Sequence, residues 1–144
     1  MNAPSMPDLG RHAMTRDTLG PAGQLTWDFL TLFAQKRYGD ANAFLAPGCR
    51  MLFPGGVVLT DCLQMTQRAS SLYRWVVKDF EQIDEMPSST GTVVYNYGML
   101  RGEWLDGSAL ANIRYIDRFV VRDGKITDQK VWNDLGMALL ARKA

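Results

Sequence analysis

Apolar positions in this chain recur first with the period of a helix and then with the period of a strand. In residues 23–38, GQLTWDFLTLFAQKRY, the side chains Leu25, Phe29, Leu32 and Phe33 fall on one stripe, the spacing of an amphipathic helix that packs on a core. Gly39 offers a left-handed stop, and Asp40 can cap a second short helix over 41–45 that Pro47 and Gly48 end. The next stretch, CRMLFPGGVVLT, predicts a strand interrupted by a Pro54-Gly55-Gly56 turn, and a helix follows from Thr60 or Asp61 to Tyr73. Beyond Tyr73 strand formers dominate, over 74–86, 90–104, 109–122 and 125–133, separated by Pro87-Ser88-Ser89, Asp106-Gly107 and Asp123-Gly124. Helices first and a long meander afterwards predict an α+β domain with helices on one face of an antiparallel sheet. Residues 1–20 carry Pro, Gly and polar residues without hydrophobic period. They are expected to form a disordered tail before a single domain over 21–144.

One position breaks the strand pattern. Alternation over 112–121 gives Ile113, Tyr115, Asp117, Phe119 and Val121 one face, and Asp117 is the only charge on it. An ionised carboxylate there costs several kcal/mol unless paired or protonated. The hairpin at Trp104-Leu105-Asp106-Gly107-Ser108 decides what opposes it: a two-residue turn gives Asn96, and a three-residue loop with Gly107 as bulge gives Tyr95. The second is preferred because it gathers Val93, Tyr95, Tyr97 and Met99 with Ile113, Tyr115 and Phe119.

Composition narrows the chemistry. A chain of 144 residues, 47% apolar and of net charge +1, is the size of one domain with a real core and has no basic stripe or acidic tail to suggest nucleic acid or a membrane surface. Its apolar runs are too short to span a bilayer, Cys49 and Cys62 make no disulfide framework, and no leader pattern opens the chain, so a cytoplasmic location is expected. The single histidine, His12, falls in the expected tail. There is no paired-cysteine spacing, no phosphate-cradling Gly-x-x-x-x-Gly-Lys and no Gly-x-Gly-x-x-Gly, so neither metal nor cofactor is expected. Carboxylates, tyrosines, arginines and amides remain.

Asp117 reads in two ways. It is either a structural carboxylate bonded to a tyrosine or to Arg101, or a carboxyl whose pKa burial has raised until it can donate a hydrogen bond or shuttle a proton. Tyr95 and Tyr97 are candidates to polarise a carbonyl. Tyr115, Phe53, Met99 and Phe119 are candidate substrate contacts or, on the plainer reading, hydrophobic wall.

At YIDRFVVRDGKITDQKVWND, residues 115–134, the chain resembles the nuclear transport factor 2-like superfamily, which includes SnoaL-like polyketide cyclases, ketosteroid isomerases and limonene epoxide hydrolase. The resemblance rests on the final strand pair with its Asp123-Gly124-Lys125-Ile126 turn, and more loosely on Tyr38-Gly39-Asp40 and Phe53-Pro54-Gly55-Gly56. It implies a cystatin-like α+β barrel: a strongly curved, antiparallel or mixed sheet wrapped as a cone around N-terminal helices, with a deep pocket and often a homodimer through the outer sheet face. It places Asp117 where ketosteroid isomerases hold the protonated aspartate of their oxyanion hole, and its geometry turns Gln129 and Asn133 to the cavity, as candidate substrate contacts or plain strand polarity, and Trp132 outward, where a dimer interface suits it. Their general-base position falls on Phe53 and their helix tyrosine on about Leu32, so that family's usual base is not implied, and the epoxide hydrolase's last-strand aspartate falls near Val131. The combined expectation is a cofactor-independent cyclase, isomerase or dehydratase acting on an apolar cyclic carbonyl compound, with Asp117, Tyr95 and Tyr97 as catalytic groups. A binding module or dimerising scaffold of the same fold is the alternative.

Overall fold

The computed structural model describes residues 10–143, so the first nine residues of the expected tail lie outside the described residues. Helix α1 (Pro21–Ala34) opens with proline at its first position, where a missing N–H costs nothing. Gly20 precedes it and has no side chain to cap the helix. The cap comes from strand β3 (Tyr73–Ser88) instead: the two carboxylate oxygens of Glu85 accept from the N–H groups of Gly20 and Gly23 at 2.8 and 2.7 Å, placing negative charge on the positive end of the helix dipole. A Cβ on either glycine would come within 2.9 Å of that carboxyl, so the approach requires both glycines. The helix ends four residues before the expected stop. Lys36, not Gly39, takes the left-handed conformation (φ 59°), and Arg37 N–H closes back onto the Leu32 carbonyl at 2.8 Å. Gly39 then falls inside α2 (Tyr38–Ala41).

Pro47 and Gly48 do not end a helix; they lie within strand β1 (Leu45–Phe53), where Gly48 (φ 78°) accompanies a register slip between Leu45 and Arg50. After β2 (Val57–Leu59), Asp61 and Gln64 form a capping box that starts a short turn leading to α3 (Met65–Ser70), about half the length expected. Strands β4 (Gly91–Trp104), β5 (Ala109–Arg122) and β6 (Lys125–Asn133) fall where the alternation puts them. A final helix, α4 (Leu135–Lys143), was not expected; its Leu135, Ala138 and Leu139 pack on the core.

The six strands run in the order β2-β1-β6-β5-β4-β3, with β1 and β6 parallel and every other pair antiparallel. The sheet is mixed and not closed, and the helices sit on the N-terminal side, the α+β arrangement that the resemblance implies. Phe29 of α1 meets Phe119 of β5 edge to face at 5.9 Å, and both are fully buried.

The β4–β5 hairpin corrects the expected register. Its loop does have three residues: Trp104 N–H reaches the Ser108 carbonyl at 2.9 Å, and Gly107 has φ 88°. Past the loop, Gly102 pairs with Leu110 but Leu100 pairs with Ile113, so Ala111 and Asn112 together oppose Arg101 and Asn112 takes φ 59°. This bulge advances β5 by one residue, so Asn96 faces Asp117 and Tyr95 faces Arg118. Tyr95, Tyr97 and Met99 therefore share the outer face with Arg114, Ile116 and Arg118.

From Gly10 onward the residues of the expected tail make specific contacts with β3 and α1. Ala13 N–H donates to the Phe80 carbonyl (2.9 Å), Phe80 N–H donates to His12 Nδ1 (3.1 Å), and the His12 ring stacks on Phe80 at 3.9 Å and meets Trp27 edge-on at 4.6 Å. Aromatic stacking and strand-like pairing hold this segment along β3, neither of which needs hydrophobic periodicity. Among the described residues no helix is long and apolar enough to cross a membrane.

Candidate functional site

The inner face of the sheet carries Val76, Lys78 and Phe80 from β3, Val94, Asn96 and Leu100 from β4, Ile113, Tyr115, Asp117 and Phe119 from β5, and Gln129, Val131 and Asn133 from β6. Asp117 is fully buried there. Its partner is Lys78, which pairs with Leu100 in register and reaches across β4 to place Nζ 2.5 Å from Asp117 Oδ2. Arg101, the cation considered for this role, lies on the other face and binds Asp79 at 2.9 Å. Lys78 was legible by the argument that singled out Asp117: it is the one charge between Val76 and Phe80 on an apolar face.

Burial raises the Asp117 pKa, and the attraction and hydrogen bond of Lys78 offset this only in part. Asp117 Oδ1 has no partner among the described residues, nor has Nδ2 of Asn96 on the facing residue. Tyr115 O–H donates to Asn96 Oδ1 at 2.6 Å, its ring lies 5.0 Å from Lys78 Nζ, and burial, then the charge of Asp117, pushes its phenol up.

Lys78 also faces a cavity of about 100 Å³, which α1, α2, α3 and α4 close against the sheet. That is small beside the roughly 300–1,000 Å³ common for ligand clefts. Phe33, Phe53, Leu72, Val76, Val131 and Leu135 supply its walls, and Lys36, Tyr38, Arg68, Tyr73 and Asn133 its other polar groups. Neither Tyr38 nor Tyr73 has a hydrogen-bond partner among the described residues, and burial raises both phenols.

Of the expected site residues, Phe53 and Asn133 line this cavity, and Asn133 Oδ1 also accepts from Leu135 N–H (3.1 Å) at the start of α4. Asp117 lies behind Lys78, with Tyr115 beneath the amine. Gln129 points inward and is buried, Oε1 without a partner among the described residues, but it is not on the cavity wall; Phe119 belongs to the core. Tyr95, Tyr97 and Met99 are turned away by the bulge, and Tyr97 and Met99 stand 37% and 42% exposed. The tyrosines that do face the cavity, Tyr38 and Tyr73, sit at element ends, where alternation assigns no face. Arg68 gave no signal, because an arginine on a short helix is ordinary.

The arrangement can hold one proton between a buried carboxyl and an amine and present that amine, with two phenols, to an apolar space. Among the described residues no group of His, Cys, Asp and Glu is placed to hold a metal ion.

No family model and no curated protein matches the chain in sequence. Solved structures do match in fold. An NTF2-like protein of unknown function from Burkholderia pseudomallei superposes with a TM-score of 0.72 at 12% identity, over 88% of this chain and 100% of its own. TerC, co-crystallised with polyporic acid, gives 0.70 at 12% identity, over 87% and 100%. A putative polyketide cyclase from Xanthomonas campestris gives 0.65 at 17% identity, over 88% and 98%. With its open mixed sheet wrapped around the N-terminal helices, the chain has the nuclear transport factor 2-like fold.

Proposed function

We propose that this protein is a cofactor-independent acid–base enzyme of the cyclase, isomerase or dehydratase type, acting on a small, largely apolar cyclic carbonyl compound. The observation that carries the reading is the Lys78–Asp117 pair at the floor of an apolar cavity. As an ammonium, Lys78 donates a hydrogen bond to the substrate carbonyl. After passing a proton to Asp117, the same nitrogen accepts the proton from the adjacent carbon, and Asp117 stores a proton until the product carbon needs one. Burial favours the neutral carboxyl that this storage requires. Tyr38 and Tyr73 supply O–H donors for the developing enolate oxygen. The polyketide cyclase among the fold neighbours is in keeping with such carbon-acid chemistry.

The same reading keeps the chain a cytoplasmic homodimer joined through the outer sheet face, where Trp132, half exposed, borders a groove with Tyr97, Met99 and Arg114. The small volume of the cavity favours a second reading, a dimerising scaffold of the same fold without turnover.

Deuterium exchange of the protons beside the carbonyl of a panel of cyclic ketones, followed by NMR in heavy water, tests the enzyme. The wild type is expected to accelerate exchange for at least one ketone, and Lys78→Met and Asp117→Asn to lower the rate by roughly 10²–10⁴-fold. Exchange unaffected by Lys78→Met, or absent with every ketone, would remove the enzymatic reading.

A further inference from the structure

The cavity is unbalanced in charge. Lys36, Arg68 and Lys78 line it, and no carboxylate does. Lys78 is compensated from behind by Asp117, and Lys36 Nζ donates to the Arg74 carbonyl at 2.5 Å from an exposed position. Arg68 is different. It is half-buried on α3, it lines the cavity beside Met65, and its side chain has no hydrogen-bond or ion-pair partner among the described residues. Burial raises the Tyr73 phenol and the charge of Arg68 opposes that rise, and both side chains line the cavity. An unpaired guanidinium at an apolar cavity is a forked donor set suited to a carboxylate or an enolised 1,3-dicarbonyl.

We infer that the ligand of this cavity is an anion: an apolar ring compound carrying a carboxylate, or an equally acidic enol, that Arg68 holds with help from Lys36, leaving its carbonyl for Lys78. The inference deepens the proposed function and rests on that reading for the role of Lys78. The anion site itself stands on Arg68. Two separated cationic points also fix orientation: the acid group binds at α3, and the carbonyl meets the β3 amine.

Calorimetric titration of the full chain with 4-oxocyclohexanecarboxylate and with its methyl ester tests the inference. The wild type is expected to prefer the acid by about tenfold or more, the scale of one charge-assisted hydrogen bond, and to lose that preference as salt rises. Arg68→Gln should abolish the preference, Arg68→Lys should keep part of it, and Lys78→Met should leave it in place. Equal affinity for acid and ester, binding of neither, or a preference that survives Arg68→Gln would overturn it. An acid preference in a protein that exchanges no ketone protons would keep the anion site and remove the enzyme, whereas exchange without an acid preference would do the reverse.

Discussion

On the outer face of β5, Arg114 binds Asp134 and Arg118 stands 3.8 Å from Asp128, with each side chain at least a quarter exposed to water. On the inner face of the same sheet, Lys78 and Asp117 meet where the carboxylate has no exposure at all. Water screens the outer pairs and solvates their ions whether or not they touch, so each contributes little. The inner ions have lost that alternative, and each depends on the other. The same pairing of residue types is therefore incidental on one face and obligatory on the other, and the face turned to the cavity is where it can be put to chemical use.

Breaking the inner pair is expected to have the largest effect. Asp117→Val leaves the Lys78 amine without its counter-ion, and urea unfolding should show a loss of about 3 kcal/mol, the lower end for a buried pair because Lys78 is partly exposed to the cavity. Adding Lys78→Met should recover most of that stability, since two apolar groups need no partner. A double variant no more stable than the single one would show that the pair is not the dependent unit described.

A smaller effect follows from ionisation alone. Burial raises Asp117 in the native state above its unfolded value of about 3.9. Below that value both states hold the proton. As pH rises through it, the unfolded chain releases its proton first, and the native state loses stability until its own carboxyl has ionised. The unfolding free energy of the wild type relative to Asp117→Asn should therefore fall as pH rises above about 4. A difference that stays flat or climbs with pH would mean that Lys78 outweighs burial.

The smallest change is expected outside. Arg118→Ala should alter stability by less than about 1 kcal/mol, and by less still in high salt. A larger loss would place this pair with the inner one and erase the contrast between the faces.

Much of this contrast could be read from residue order. The strand limits and the inward position of Asp117 follow from alternation and turn residues, both local properties. The residue that faces it across β4 could not be read the same way, because register depends on Asn112, whose left-handed backbone has no sequence code that outweighs ordinary alternation. One trace was present: Leu110 and Ile113 are both buried yet three apart, a spacing that regular alternation forbids and a bulge permits. The segment LGMALLARK carried a readable helical spacing in Leu135, Ala138 and Leu139. Tyr38, Arg68 and Tyr73 converge from three elements, and convergence of that kind is set by packing between elements rather than by order along the chain.

The segment around His12 has a consequence for behaviour in crowded solution. Strand β3 is one border of the sheet, and a border of unpaired backbone groups invites pairing with another chain. His12 and Ala13 occupy the amide and carbonyl of Phe80, and Arg11 N–H binds the Asp79 carboxylate beside them at 2.7 Å. A stretch with no hydrophobic rhythm of its own thus occupies one point of that border, where pairing with another chain would otherwise begin, on the strand that also carries Lys78.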